Sequence, residues 1–255
     1  MSEAAPSVAI IIPARLGSSR YPNKPLAPIL GTPMVELVHR HAALVTGVDT
    51  VAVATCDQEI VDLIEGAGGI AVMTSESHQR ASDRSAEAVL ALESARGRTY
   101  DIVLMLQGDE PAITPHQMGE VIEAMAADSS IQVTNLHGTI TSEREFNDPN
   151  CIKVVTDLVG DAVYFSRLPI PHGASFDDPA VGKQVCAIGF RRDYLMEYLE
   201  MAPTELEVLE SIDMLRILQH GDKVRMVRTT QPTQSVDVPE DIPLAEALLK
   251  RLGLA

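Results

Sequence analysis

Short continuous apolar runs, each ended by a turn-forming or polar segment, set the rhythm of the first half of the chain. Residues 8–12 are wholly apolar and stop at Pro13, the pattern of a strand buried on both faces. Residues 14–33 follow, rich in Gly, Ser, Pro and cations, and predict irregular structure. Helical spacing then appears over 34–45, strand-like runs over 51–55 and 70–73, and helical segments over 58–67 and 85–92. The run 101–106 is again strand-like. Thr114 followed by Pro115 gives a cap and first turn for a helix reaching about Ala127.

The second half is less regular. It offers strands over 152–155, 162–165, 185–190 and 224–227, and helices over 192–201, 206–220 and 239–252, the last opened by Pro239. Alternating strands and helices predict an α/β fold, a mostly parallel sheet covered by helices. Ligands of such sheets bind beyond the carboxyl ends of the strands, which directs attention to the segments after Ile12 and Leu106. No repeat, low-complexity tract or break in composition divides the chain, so residues 1–255 read as a single domain.

Composition narrows the function classes. The chain has 255 residues, 45% hydrophobic, with a formal net charge of −16. A surface of that sign repels phosphate backbones and anionic bilayers, which argues against nucleic acid and membrane partners. Cys56, Cys151 and Cys186 form no CxxC pair and read as free thiols rather than a disulfide framework or zinc site. The opening residues lack the basic start and apolar run of a signal peptide, and no stretch approaches the ~20 apolar residues of a membrane span. A soluble, cytoplasmic protein is the expectation.

Three segments carry candidate chemistry. The loop after the first strand brings Arg15, Arg20 and Lys24 together around Gly17, Ser18 and Ser19. Small residues permit close backbone approach, and three cations neutralise a polyphosphate. The pattern is neither the Walker GxxxxGK[ST] nor the dinucleotide GxGxxG. Gln107-Gly108-Asp109-Glu110-Pro111 follows the strand ending at Leu106, and a carboxylate there is placed to hold Mg²⁺ against phosphate oxygens. In Val236-Asp237-Val238-Pro239-Glu240-Asp241, a plain helix cap is the simpler reading of Asp237 or Val238. The seven histidines are scattered and read as surface or packing residues; no Ser-His-Asp or Cys-His set is indicated.

These segments, in this order, resemble the 3-deoxy-manno-octulosonate cytidylyltransferases, the CMP-KDO synthetases of the sugar nucleotidyltransferase group. The resemblance spans most of the chain. It takes in the loop up to Leu26, Val72-Met73-Thr74, Gln107 to Pro111 and Phe146-Asn147 through Lys153-Val154-Val155. Tyr164-Phe165-Ser166-Arg167 and the Asp237 segment complete it. It implies a Rossmann-like nucleotidyltransferase fold with a dimerisation lobe within residues 131–205, a homodimer, and lipopolysaccharide-type sugar chemistry. It further implies that CTP and a small acidic acceptor are the partners. Arg15, Lys24, Asp109 and Asp237 would be catalytic, with Mg²⁺ on Asp109 and Asp237. Ala14, Arg15, Gly17, Ser18, Ser19, Arg20, Lys24, Ser82, Arg84 and Gln107 would bind the nucleotide. Arg80, Gln107, Arg167, Gln184, Ile188, Asp213 and Met214 would face the acceptor.

The departures from the family fall on the acceptor side. Its Ser-Gly-Thr-Asp/Glu-Arg reads Arg80-Ala81-Ser82-Asp83-Arg84 here, its His-x-Gly reads Gln184-Val185-Cys186, and Ile188 stands at a tyrosine position. Glu-Gln-Leu-Arg becomes Asp213-Met214-Leu215-Arg216. Lost hydroxyl-binding groups point to an altered acceptor, smaller, less hydroxylated, or amino-, phosphono- or sulfo-bearing, with Arg80 suited to extra negative charge, as the alternative to KDO itself, which stays the default acceptor. A catalytically silent nucleotide-binding paralogue is a further reading, opposed by the intact Arg15, Arg20, Lys24, Asp109 and Asp237 set.

Overall fold

The computed structural model describes residues 5–17, 21–78 and 80–254. In chain order the strands and helices are β1 (Val8–Pro13), β2 (Pro28–Ile29), β3 (Thr32–Pro33), α1 (Met34–Ala42), β4 (Thr50–Thr55), α2 (Gln58–Gly66), β5 (Ile70–Met73), α3 (Ala81–Arg96), β6 (Ile102–Leu106) and α4 (Pro115–Ala127). The remainder are β7 (Val133–Gly138), α5 (Glu143–Asn147), β8 (Lys153–Thr156), β9 (Ala162–Ser166), β10 (Gly182–Arg191), α6 (Arg192–Glu200), α7 (Glu205–Glu210), α8 (Met214–Gln219), β11 (Arg225–Arg228) and α9 (Ile242–Leu252).

The main sheet runs β11-β7-β10-β6-β1-β4-β5. Pairings β6–β1, β1–β4, β4–β5 and β11–β7 are parallel; β10 is antiparallel to both of its neighbours. The fold is the expected α/β sheet with one reversed strand. Alternation explains how a wholly apolar β1 serves two faces. Ala9 and Ile11 enter a core built on α3, α6 and α8, whereas Val8, Ile10 and Ile12 enter one built on α1, α2 and α4. A third cluster packs Ala245, Leu248 and Leu249 of α9 against Ile29, Met34 and Leu37.

Several expectations need adjusting. Residues 14–33 contain the small β2–β3 ladder and a 3₁₀ turn, Lys24–Leu26. Helix α3 begins at Ala81 rather than 85, and Pro239–Asp241 is a 3₁₀ turn ahead of α9. The stretch 206–220 is two helices, because Ser211 adopts a left-handed conformation (φ 54) that no α-helix accommodates. Strand β7 has no counterpart in the sequence-based reading. Its Thr134, Asn135 and His137 are polar yet buried, and Asn135 Nδ2 donates to the Val185 carbonyl at 2.7 Å, a local satisfaction that hydropathy does not register. Glycine is needed at 189, where a Cβ would lie 2.4 Å from Thr134 Oγ1.

Strands β7 and β10 sit inside the main sheet, while the β8–β9 hairpin joins it through β10 and through a bridge between Asp161 and Arg225 of β11. Among the described residues, no helix is long and apolar enough to cross a membrane.

Candidate active site

Strands β1 and β6 are parallel neighbours in register, Ile11 beside Met105, so their following loops leave from the same edge of the sheet. A cavity of 660 Å³ opens there, at the point where strand order reverses direction. The β1 loop is anchored by Ala14 N donating to the Ala54 carbonyl (2.9 Å) and Leu16 N donating to Asp57 Oδ2 (2.8 Å). Asn23, left-handed at φ 58, then turns the chain into the 3₁₀ segment that carries Lys24.

That turn aims Lys24 inward. Its Nζ lies 2.7 Å from Asp109 Oδ2 and 3.7 Å from Asp237 Oδ1, and donates to the Val236 carbonyl at 3.1 Å. A backbone bond from Val236 N to the Asp109 carbonyl (2.9 Å) fastens the two acidic segments together. The capping role belongs to Asp241, whose Oδ2 accepts from the amides of Asp237 (2.9 Å) and Val238 (3.1 Å). The Asp237 carboxylate is thereby directed to the cavity instead.

The remaining walls carry charge in distinct states. Arg84 is buried, donates to Thr74 Oγ1, and leaves Nη2 without a hydrogen-bond partner among the described residues, beside the cavity. Arg15 lines the same side and donates to the His78 carbonyl (3.5 Å). Arg167 is held by three carbonyls: Glu210 (2.6 Å), Pro149 (2.8 Å) and Ser211 (3.1 Å). Arg80 pairs with Asp213 and, at 3.2 Å, with Glu207, which also takes both arms of Arg216 at 2.7 Å. Two arginines and two carboxylates thus form a neutral cluster, so Arg80 is not the unmatched cation expected of it. Lys183 pairs with Glu145, and Gln184 donates to Asn135 Oδ1 at 2.6 Å.

The acid cluster perturbs its neighbours. Burial, reinforced by the charge on Asp109, pushes Glu110 up to about 8, while its Oε1 accepts from Cys186 N. The Cys186 thiol is raised well above its ordinary value by burial and by Glu110, Asp109 and Asp237, so it stays protonated at neutral pH.

Of the residues singled out in the sequence, Ala14, Arg15, Gly17, Lys24, Arg80, Arg84, Gln107, Asp109, Arg167, Gln184, Ile188, Asp213 and Asp237 line this one cavity. Ser82 and Met214 do not. Each is 1% exposed behind the wall, and Met214 belongs to the core. Ser18, Ser19 and Arg20 lie outside the described residues. Lys183, Glu145, Glu110, Cys186, Met105 and Ile212 also line the cavity and were not singled out. Glu110 and Cys186 lie within quoted motifs but were given no role there; nothing in the sequence marks the pairing of Lys183 with Glu145, which are 38 positions apart.

The family model for cytidylyltransferases matches residues 9–226, which includes the β1 loop, the Asp109 segment and Arg167 just after β9. The chain belongs to the cytidylyltransferase family. It is 38% identical to the 3-deoxy-manno-octulosonate cytidylyltransferase of Geobacter metallireducens, covering 97% of this chain and 99% of that one. It is 39% identical to the 8-amino-3,8-dideoxy-manno-octulosonate cytidylyltransferase of Shewanella piezotolerans, over 95% and 98% of the two chains. Among solved structures, CMP:2-keto-3-deoxy-manno-octonic acid synthetase complexed with CTP superposes with a TM-score of 0.84. Identity there is 35%, over 96% of this chain and 99% of that chain. A 4-diphosphocytidyl-2C-methyl-D-erythritol synthase from Anaerococcus prevotii, 18% identical with a TM-score of 0.64, shares the fold. As a cytidylyltransferase, the chain is a nucleotidyltransferase enzyme of Rossmann-like architecture.

Proposed function

We propose that this cytidylyltransferase moves CMP from CTP to a hydroxyl of an acidic sugar of the 3-deoxy-manno-octulosonate kind, in the cytoplasm where CTP is made. The observation that carries the reading is the convergence of Lys24, Asp109 and Asp237 on one point beyond β1 and β6. The acceptor oxygen bonds to the α-phosphorus as the bond from that phosphorus to the bridging oxygen breaks. Pyrophosphate leaves, and the hydroxyl proton passes to solvent. Such a transfer depends on alignment and charge neutralisation rather than on a covalent enzyme intermediate. Arg15 and Lys24 serve as phosphate cations, the Ala14 to Gly17 backbone and Arg84 hold the nucleotide, and Arg167 faces the acceptor acid.

The residues fit a Mg²⁺ ion. Two carboxylate oxygens already share one cation, the Lys24 ammonium, and hard oxygen donors of that number suit a metal that takes its other ligands from phosphates and water. Among the described residues no third acidic, histidine or cysteine ligand joins them. Asp109 and Asp237 would hold the ion, which when bound spreads charge over the leaving phosphates.

A homodimer is part of the proposal. Val163 on β9, Leu158 and Val159 at the hairpin turn, Leu168, and Val208 and Leu209 on α7 are exposed apolar side chains. Ser166 Oγ donates to Glu210 Oε1 at 2.9 Å and so joins β9 to α7. An apolar face on an edge strand suits a second copy.

Pyrophosphate release decides the reading. CTP with 3-deoxy-manno-octulosonate and related sugar acids is expected to release it in the presence of Mg²⁺, well above ATP, GTP and UTP. No release from CTP with any acceptor would overturn the assignment.

A further inference from the structure

Two lysines lie side by side inside the fold. Lys153 on β8 and Lys183 on β10 are register partners in antiparallel strands, 0% and 7% exposed, so their side chains leave the same face of the sheet. Like charges directly opposite one another weaken a ladder, and burying an ammonium adds a further cost. Val154, the next residue of β8, takes the apolar role on the other face. Core packing therefore gives no reason for a charge at 153.

Both lysines instead hold one stretch of chain. Lys183 pairs with Glu145 of α5 and donates to the Thr233 carbonyl at 3.3 Å. Lys153 Nζ donates to the carbonyls of Asp148 (2.8 Å) and Cys151 (2.6 Å). Arg167 Nη1 donates to the Pro149 carbonyl between them at 2.8 Å. Three of the four carbonyls in residues 148–151 are thus bound by cations, and Asp148, Asn150 and Cys151 of that loop line the cavity. We infer that Lys153 is a positioning residue for acceptor binding, shaping the 148–151 loop that forms the cavity wall beside Arg167. The inference rests on the proposed function, in which Arg167 faces the acceptor acid, and adds a residue that works without touching the acceptor.

The test is Lys153→Met, close in length and without the ammonium. With 3-deoxy-manno-octulosonate, the acceptor KM is expected to rise about tenfold while KM for CTP stays within about twofold of the parent. An unchanged acceptor KM overturns the inference, and so does an equal rise in both constants, which marks general loosening. Thermal melts report folding; should this variant fail to fold, Lys153→Gln, which keeps N–H donors on a shorter neutral arm, is read in the same way. A second measurement needs no variant. With Mg²⁺ withheld to stop turnover, amide exchange over residues 147–152 of the parent chain is expected to slow when the acceptor joins CTP. No slowing on acceptor addition, or slowing already complete with CTP alone, overturns the inference. A parent chain that releases no pyrophosphate with any acceptor overturns the proposed function instead, and the exchange measurement then decides the role of the loop by itself.

Discussion

Lys24 and Asp109 are in direct contact, Nζ to Oδ2 at 2.7 Å, across 85 positions of sequence. Asp237 approaches the same ammonium from a third segment. Asp109→Ala and Asp237→Ala are therefore each expected to lower the rate of pyrophosphate release by at least about 100-fold. Both acids are rim groups of a cavity rather than core residues, so melting temperatures should move little. Steady-state assays beside thermal melts check this; a variant that keeps full activity removes the carboxylate concerned from the proposed metal site.

Glu207 makes a different demand. It is fully buried, takes two bonds from Arg216 and a third contact from Arg80, and Arg216 stacks on Tyr198 at 4.6 Å. Burial alone would raise its pKa, but Arg216, the Thr204 amide and Arg80 hold it below the usual carboxylate range. Glu207→Gln leaves buried guanidinium charge uncompensated and should cost about 3–5 kcal/mol in denaturant unfolding. Replacing the pair together, Glu207→Leu with Arg216→Met, should recover much of that loss.

His137 sets an acid limb. Burial, aided by the charge of Arg228, lowers its pKa from 6.5 to about 4. The unfolded chain then binds the proton more readily than the folded one between those values, so stability rises with pH across that window and falls as pH drops below 6.5. The full effect is about 3 kcal/mol, reached near pH 4. His137→Asn should flatten this limb of the melting temperature against pH; an unchanged slope would assign the acid sensitivity elsewhere.

The dimer proposal is tested at the exposed apolar face. Val163→Lys and Leu209→Lys place charges on side chains that are 60% and 80% exposed, where the monomer's own packing has little to lose. Sedimentation should show each variant shifted toward the monomer relative to the parent chain. A parent chain that sediments as a monomer at assay concentrations refutes the face as a self-contact.

Legibility in the sequence followed the physics of each element. Strands β1, β4, β5 and β6 are short apolar runs because helices cover both their faces, and those runs are visible without a structure. Strand β7 was invisible because its buried Thr134, Asn135 and His137 are polar. The break at Ser211 was invisible because a single left-handed residue leaves the helical spacing around it intact. In the site, the Lys24 loop and the Asp109 segment could be placed from strand ends alone. Asp237 could not be told from a helix cap, since only the structure assigns that role to Asp241. Arg80 looked like an unmatched cation because both its partners, Glu207 and Asp213, are more than 120 positions away.

The distance along the chain between Lys24 and the Val236 carbonyl it bonds, 212 positions, has a consequence during synthesis. A ribosome presents the phosphate loop and β6 long before the segment bearing the second acid emerges. The contacts of Lys24 with Val236 and Asp237, and the packing of α9 against Ile29, Met34 and Leu37, can thus form only after nearly the whole chain has emerged.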